Sequence, residues 1–427
     1  MSAIPLPQID AVAGPAPGRI SLGGSAPVVG PLFVAGLEFS LATSTLDALE
    51  AVVRSMSRER LRAWFGEIEG TEEAAVLSTC HRVELLLLLR STDDAERWRS
   101  VLPGDPRAWR RLDGRSAVRH LFRVAGGLES LARGEAEARD QVRAAGDRIE
   151  TRHPRPVLRE LFAGAYDAAG EIAPAVPASR SIAAVAAAHL LGIVNRPRPR
   201  VVVLGSGTVG RQVAECLAPT ARVTVLYHHH LPDDDFLRAT GARAAPLEQL
   251  PQELVGADAV VTAAKFGGRS MRASELPRDR PLVLMDLGMP RNVDPEVRLL
   301  PNVRLVDLEE LRAHSSPTIP PDGADVRAER LADRCYESVE RRLLEPWIAG
   351  IRRAAEAVRR TELGAAREFL GTLDSDQERA IERLTRRLVD RLLVPPTDRI
   401  RALPPGPEGD LRRRLAAELL RPAPGDP

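Results

Sequence analysis

The chain has 427 residues, too many for one ordinary core, and this length predicts about three domains at roughly 150 residues each. Hydrophobic residues make up 44% and charged residues 28%, a balance that excludes wholesale disorder. Three cysteines exclude a disulfide framework and predict a reducing, cytoplasmic location, and a net charge of +1 excludes a global positive field for nucleic acid.

Residues 1–30 are rich in Pro, Gly, Ala and Ser and show no periodicity, so they are predicted to form a disordered tail. They lack the basic start and apolar core of a signal peptide, and export is not indicated. The longest strongly apolar run, residues 83–89, is far shorter than the roughly 20 residues that span a bilayer. The sequence therefore predicts no membrane association.

Residues 31–180 are predicted to form a first, α+β domain. Residues 45–64 predict a helix, and the apolar spacing within residues 116–173 is mostly helical. Three short apolar segments predict strands: residues 32–37, 74–77 and 83–89.

Residues 185–313 are predicted to form a second domain in which strands and helices alternate, the pattern of a parallel sheet. Its five expected strands are residues 201–204, 222–226, 257–263, 282–287 and 303–306. Residues 314–325 contain three prolines and predict a linker. Residues 324–425 follow as an all-helical domain, with apolar residues at three- and four-residue spacing. The fold class is thus multidomain α/β.

A glycine-rich turn follows the first strand of the second domain, in Val201-Val-Val-Leu-Gly-Ser-Gly-Thr-Val-Gly210. A strand, a glycine turn and a helix in this order suit a dinucleotide, whose pyrophosphate lies at the positive end of the helix. A tight turn that binds nothing is the alternative. The cofactor-binding candidates are Gly205, Ser206, Gly207, Thr208, Val209 and Gly210.

The next strand ends in Tyr227-His-His-His230, without an acid that could hold a ribose 2′-hydroxyl group, and this favours NADP over NAD. Three consecutive loop histidines cannot easily converge on one ion. They are interpreted as a solvated loop or a nucleotide contact, and no metal is assigned.

Cys80 lies at an element boundary, in Ser78-Thr-Cys-His-Arg-Val-Glu84, where a nucleophile could be exposed. The adjacent His81 and Arg82 could favour the reactive thiolate by placing positive potential near the sulfur. From the residues alone, an inert buried thiol remains an alternative. Cys216 and Cys335 have apolar helical neighbours and are expected to be inert.

Four separated segments together resemble the glutamyl-tRNA reductases, which open the five-carbon route to tetrapyrroles. They are Leu77-Ser-Thr-Cys-His-Arg-Val-Glu84, His120-Leu-Phe-Arg-Val-Ala-Gly-Gly-Leu-Glu-Ser130 running on to Gly134-Glu135, the glycine turn, and Asp286-Leu-Gly-Met-Pro-Arg-Asn-Val-Asp-Pro-Glu-Val297. Residues 384–396 are similar to the C-terminal dimerisation helices of that family. The resemblance spans about residues 32–403.

The resemblance implies that Cys80 attacks the ester of glutamyl-tRNA, and that NADPH reduces the resulting thioester to glutamate-1-semialdehyde. It implies that His120 is a catalytic polariser or proton carrier, and that Arg82 grips a carboxylate of the glutamate. The full set of implied substrate-binding residues is Thr79, Arg82, Ser130, Glu135 and Gln141. The implied partners are glutamyl-tRNA, a second copy of the chain in a homodimer, and glutamate-1-semialdehyde aminomutase.

The chain departs from the family pattern at functional positions. The family motif Gly-Leu-Asn-His-Lys-Thr-Ala is replaced by Gly36-Leu-Glu-Phe-Ser-Leu-Ala42, His81 stands for the usual asparagine, and Glu137 stands for a glutamine. Tyr227 begins the segment that replaces Asn-Arg-Thr, which bears on NADPH recognition. Two alternatives therefore stay open: a catalytically weakened paralogue that binds tRNA or a partner enzyme, and an NAD(P)-dependent acyl reductase that acts on a small molecule.

Overall fold

The computed structural model describes residues 32–91, 93–130, 136–172, 181–264, 271–314 and 323–403, with residues 412, 415 and 416. The predicted tail at 1–30 and most of the predicted linker lie outside the described residues. The chain forms two compact units, one containing Pro31–Leu344 and the other containing Glu345–Leu403.

The first unit begins with a five-stranded antiparallel sheet in the order β4-β1-β3-β2-β5. The strands are β1 (Phe33–Ser40), β2 (Thr71–Ser78), β3 (Arg82–Leu89), β4 (Arg110–Asp113) and β5 (Glu150–Thr151). The central strand β3 is buried at every position, so both faces of the sheet are covered. Successive side chains alternate between these faces, which places Arg82 and Glu84 on the same face.

Helices cover the two faces of this sheet. The helices are α1 (Leu46–Ser55), α2 (Arg58–Glu67), α3 (Asp93–Val101), α4 (Arg115–Ala125), α5 (Ala136–Gly146) and α6 (Val157–Ile172). Leu85 packs in one core with residues of α1 to α3, and Leu86 packs in the other with residues of α4 to α6. The prediction of a single helix at 45–64 is wrong. The helix is interrupted before Ser57, whose hydroxyl accepts a hydrogen bond from the backbone N–H of Arg60 and caps the start of α2.

The second sheet has six parallel strands in the order β11-β10-β9-β6-β7-β8. The strands are β6 (Arg200–Leu204), β7 (Arg222–Tyr227), β8 (Arg243–Pro246), β9 (Ala259–Thr262), β10 (Leu282–Asp286) and β11 (Val303–Val306). The accompanying helices are α7 (Ile182–Val194), α8 (Thr208–Leu217), α9 (Asp234–Thr240), α10 (Leu250–Leu254) and α11 (Leu308–His314). This is a doubly wound order, and it confirms the predicted fold class.

Two long helices complete the described chain, α12 (Ala324–Leu370) and α13 (Ser375–Arg401). The second unit begins within α12. There Arg359 bonds the carboxylates of Glu356 and Glu382, and α13 leaves an exposed apolar row at Leu384, Leu388 and Leu392. None of the described helices combines the length and the hydrophobicity that crossing a bilayer requires.

The domain boundaries predicted at 180–185 and 313–324 stay predictions. Residues 173–180 and 315–322, which contain most of these junctions, lie outside the described part of the chain. The described first unit holds both sheets, since it extends from residue 31 to residue 344.

Candidate active site

Cys80 and His81 form the tip of the hairpin between β2 and β3. Ser78 pairs with Val83 at the last position of the ladder, and the Thr79 N–H donates to the Arg82 carbonyl at 2.9 Å. The N–H of Leu41, directly after β1, donates to the His81 carbonyl at 3.0 Å. Three strands thus fix the backbone around the thiol, and Cys80 is half-buried rather than sealed in the core.

The thiol is in direct contact with the neighbouring imidazole. The Sγ atom of Cys80 lies 3.4 Å from Nδ1 of His81, which also lies 3.4 Å from Oγ1 of Thr79. Burial and the nearby Arg82 charge lower the pKa of His81 to about 3. The expectation that His81 adds positive charge beside the sulfur is therefore wrong, because a buried imidazole next to a guanidinium stays neutral.

Arg82 is buried, and protein groups already bind its guanidinium. Nη1 lies 3.0 Å from the Glu84 carboxylate and 3.5 Å from that of Glu38, and Nη2 donates to the Glu129 carbonyl. A substrate carboxylate would have to compete with two protein carboxylates for this side chain. The predicted role of Arg82 as a carboxylate clamp stays a prediction.

His120 projects from α4 onto the same charged group. Its Nε2 donates to Glu84 at 2.9 Å, and Arg110 lies 3.5 Å from its Nδ1. Burial alone would lower the pKa of His120, but the Glu84 carboxylate outweighs burial and raises it. Burial would likewise raise the pKa of Glu84, yet His120 and Arg82 lower it to about 2. The Glu84 carboxylate therefore favours the protonated form of His120 relative to a free imidazole.

Glu38, Glu84 and His120 bring three potential metal-ligating atoms within 4.8 Å of one another. Arg82 contacts both carboxylates, and Arg110 Nε lies 2.7 Å from that of Glu38. Two guanidinium groups therefore already compensate the two acids. A divalent cation at this place would face two guanidinium groups, and we assign no metal to it.

Of the remaining predicted site residues, Ser130 and Gln141 lie in the described chain and Glu135 does not. Ser130 is half-buried in the turn after α4, and Gln141 is half-buried on α5, the helix that packs on β2. Glu135 lies outside the described residues. Burial raises the pKa of Cys216, and it raises that of Cys335 to about 11, so neither thiol is favoured as a nucleophile.

The sequence analysis gave no role to Glu84, Arg110 or Glu129 and treated Glu38 only as a departure. Strand register explains how these residues meet: Glu38 of β1 pairs with Glu84 of β3 on one side and with Arg110 of β4 on the other. Charged residues at alternate positions of a strand that is otherwise apolar, such as Arg82 and Glu84, were the available signal.

The glycine turn lies at the carboxyl end of β6, where the strand order reverses between β6 and β9. Gly205 has φ +114°, a conformation that favours glycine, and a methyl group there would lie 2.9 Å from the Ala263 carbonyl oxygen. A methyl group on Gly210 would lie 1.9 Å from the Gly205 carbonyl oxygen. Both glycines are therefore required by close backbone contacts.

Gly207 differs, because a methyl group there would meet no atom of the described residues within 4 Å. It precedes α8, which begins at Thr208, so the open space lies against backbone N–H groups at the positive end of a helix. We call this exposed helix start, residues 206–209, the cradle, and its position suits the pyrophosphate of a dinucleotide. The side chain of Ser206 donates to the His230 carbonyl at 2.7 Å and joins the turn to the loop after β7.

The loop after β10 connects the second sheet to the first. Asp286 is buried and accepts hydrogen bonds from the backbone N–H groups of Gly288, Asn292 and Val293 at 2.8 to 2.9 Å. The loop places Arg291 against α1, with its Nε 2.5 Å from the Glu50 carboxylate. The motif therefore supplies a fixed contact between the two sheet regions.

Comparison with known proteins gives consistent matches along the chain. Residues 37–175 match the N-terminal domain of glutamyl-tRNAGlu reductase, residues 328–421 match its dimerisation domain, and residues 188–314 match shikimate/quinate 5-dehydrogenase. This last match supports a nicotinamide cofactor for the second sheet.

Individual relatives agree with these matches. The glutamyl-tRNA reductase of Rubrobacter xylanophilus is 31% identical over 391 residues, covering 82% of this chain and 88% of the relative. Glutamyl-tRNA reductase 2 of a Nocardioides species is 34% identical over 354 residues, covering 75% of each. The solved glutamyl-tRNA reductase of Methanopyrus kandleri is 25% identical, with 91% of this chain and 98% of that chain covered and a TM-score of 0.46. The chain belongs to the glutamyl-tRNA reductase family.

Proposed function

We propose that this chain is an NADPH-dependent glutamyl-tRNA reductase that uses Cys80 as its nucleophile. The observation that carries the proposal is the half-buried Cys80 thiol at a rigid hairpin tip, in hydrogen-bond contact with His81. The family supplies the substrate, and the product is glutamate-1-semialdehyde for tetrapyrrole synthesis.

In the proposed reaction the Cys80 thiolate attacks the ester carbonyl that joins glutamate to the terminal ribose of the tRNA. A C–S bond forms, the C–O bond to the ribose breaks, and the ribose oxygen leaves with a proton from the medium. The glutamyl group remains as a thioester on Cys80. The fixed hairpin contributes by holding the sulfur in one position, which lowers the entropy lost on reaching the transition state.

NADPH is the proposed cofactor, and when bound it supplies the hydride that converts the thioester carbonyl to an aldehyde. Gly205, Gly207 and Gly210 would hold its pyrophosphate at the start of α8, with Ser206, Thr208 and Val209 supplying backbone N–H groups. Tyr227 ends β7, where an acid would favour NAD, and this supports NADPH. The thiolate returns when the C–S bond breaks.

His120 is proposed to act from the buried charged group. As an imidazolium it can place positive charge near the acyl oxygen, but its Nε2–H already donates to Glu84. The proposed role of His120 is that of a polariser or proton carrier near the acyl oxygen, with Glu84 holding the ring in place. Thr79, Ser130, Glu135 and Gln141 remain proposed substrate contacts.

We also propose a cytoplasmic homodimer formed through residues 328–421, supported by the match to the dimerisation domain. The exposed apolar row at Leu384, Leu388 and Leu392 gives α13 a face that a second copy could cover. Glutamate-1-semialdehyde aminomutase is a proposed partner, because the aldehyde product is reactive and its transfer would protect it.

The test is product analysis with glutamyl-tRNA and NADPH for wild type, Cys80→Ser and the control Cys216→Ser. We expect Cys80→Ser to lose more than about a thousandfold in kcat, as removal of a catalytic nucleophile does. Cys216→Ser, on the exposed face of α8, is expected to keep wild-type activity. Semialdehyde formation by Cys80→Ser at the wild-type rate would remove Cys80 from the mechanism.

A second candidate is a binding protein that has lost turnover, favoured by the engagement of Arg82 with Glu38 and Glu84. Intact-mass measurement of the chain with glutamyl-tRNA and no cofactor separates the two. The proposed reductase accumulates a glutamyl adduct on Cys80. Tight tRNA binding without an adduct, and without semialdehyde when cofactor is present, would establish the binding protein instead.

A further inference from the structure

The imidazole of His81 lies between the Cys80 thiol and the Arg82 guanidinium. Its Nδ1 is 3.4 Å from Sγ of Cys80, and its Nε2 is 3.1 Å from Nε of Arg82. The ring is buried, with 6% of the residue exposed. A neutral imidazole carries one proton on one of its two ring nitrogens. The contacts on the two sides of this ring decide which nitrogen carries it.

Arg82 decides which nitrogen carries the proton. Its Nε–H is permanently protonated and points at Nε2 of His81, so Nε2 must accept a hydrogen bond through its lone pair. The Glu129 carbonyl lies 3.1 Å from the same Nε2, but it already accepts from Nη2 of Arg82. A proton on Nε2 would face the Nε–H of a cation. The proton of the neutral ring therefore lies on Nδ1, directed at Cys80 and Thr79.

We propose that His81 is a neutral hydrogen-bond donor that stabilises the Cys80 thiolate through its Nδ1–H, and that Arg82 is the positioning residue that fixes this tautomer. In this arrangement His81 does not take the thiol proton, which leaves to water. It therefore differs from a cysteine–histidine ion pair, where the imidazole accepts that proton and becomes charged. The contribution of this hydrogen bond to turnover rests on the proposed function, whereas its effect on the reactivity of the Cys80 thiol does not.

The charged groups around the ring support a neutral donor. The charges that act on the ring are those of Arg82 and Glu84 on β3 and of Glu129 in the segment after α4. Arg82 is the one among them whose charged group contacts the His81 ring, and its charge opposes a second proton on the imidazole. The two acids are already paired, Glu84 with Arg82 and His120, and Glu129 with Arg123.

Asparagine and glutamine provide a matched test of the donor position. The side-chain amide of His81→Asn can place an N–H close to where Nδ1 lies, whereas that of His81→Gln reaches the place of Nε2. His81→Ala removes both. The probe is the rate at which iodoacetamide alkylates Cys80 between pH 5 and pH 10, followed by mass spectrometry of the tryptic peptide of residues 63–82, which holds no other cysteine.

For His81→Ala we expect the midpoint of the alkylation profile to move up by about one pH unit, and the rate at pH 7 to fall about tenfold, because one hydrogen bond to an anion is lost. His81→Asn is expected to stay within about threefold of wild type, and His81→Gln to behave like His81→Ala. A His81→Ala profile that coincides with wild type overturns the proposal, as does a His81→Gln variant that restores the thiolate better than His81→Asn.

A measurement on the unmodified chain keeps the test independent of folding defects. Long-range ¹H–¹⁵N spectra of protein labelled at histidine, with His81→Asn used for assignment, should show a protonated Nδ1 and an unprotonated Nε2 for His81 at pH 7. A proton on Nε2 would contradict the proposal. Neither measurement uses tRNA or cofactor, so failure here and failure of the proposed reductase activity are distinguishable.

Discussion

The hairpin tip of the first sheet and the glycine turn of the second sheet are built in opposite ways. Around Cys80, charged side chains from β1, β3, β4 and α4 meet in a largely buried group in which each carboxylate is paired with a basic side chain. The glycine turn uses contiguous residues and works through the backbone, with Gly205 and Gly210 in close contact and Gly207 open.

This difference determines which substitutions damage each site. A backbone site tolerates changes around it but fails when a side chain enters the cradle. A charge-compensated side-chain site depends on every partner, because removing one leaves another charge buried without its counterion. Two of the departures from the family pattern, Glu38 and His81, lie in the second kind of site and are matched there by Arg110 and Arg82.

The largest effect on stability is expected for Glu84→Gln. This variant keeps the size of the side chain but leaves His120 and Arg82 without their shared carboxylate, so the free energy of unfolding should fall by about 3 kcal/mol. The control is Glu96→Gln, whose exposed carboxylate bonds Arg99 and Arg111 and whose loss should cost less than about 1 kcal/mol. Urea unfolding measures both. Equal losses in the two variants would show that the buried group does not depend on Glu84.

A smaller and local effect is expected for Gly207→Val. The side chain enters the open cradle without a clash in the described chain, so the KM for NADPH should rise about 30-fold while the fold is kept. Cys80 alkylation should stay at the wild-type rate. Gly192→Ala, at an open position in α7, is the control. An unchanged KM for NADPH in Gly207→Val would place the dinucleotide elsewhere.

The smallest effect concerns pH and follows from His81. Its pKa is lowered to about 3 in the folded chain by burial and by Arg82, while the unfolded side chain titrates near 6.5. Above pH 6.5 the side chain is mostly unprotonated in both states. Below pH 6.5 only the unfolded state binds the extra proton, so the free energy of unfolding decreases as the pH is lowered. Relative to His81→Asn, wild type should lose about 1 kcal/mol of unfolding free energy between pH 7 and pH 5.5.

Urea unfolding at the two pH values measures this difference. His228→Asn, a change of an exposed histidine in the loop after β7, is the control and should follow wild type. His120 acts in the opposite direction, because its raised pKa stabilises the fold below pH 6.5 and loses that contribution as pH rises, and it is present in all three proteins. A constant gap between wild type and His81→Asn would show that the pKa of His81 is not lowered in the folded chain.

Sequence reasoning predicted the features that depend on neighbouring residues. The apolar runs located β3 and the five main strands of the parallel sheet, because burial on both faces leaves a continuous signal. It missed β4, β5 and β8, which are short strands with few large apolar residues. It also merged α1 and α2, because the Ser57 cap breaks the helix without interrupting its apolar spacing.

The sequence by itself determined the order of the folding elements, the glycine turn and the position of Cys80 before a strand, since each is encoded within a few consecutive residues. Only the tertiary structure decided the charge of His81, the partners of Arg82 and the gathering of Glu38, Glu84 and Arg110. Those properties depend on burial and strand register, which bring together residues as much as 72 positions apart.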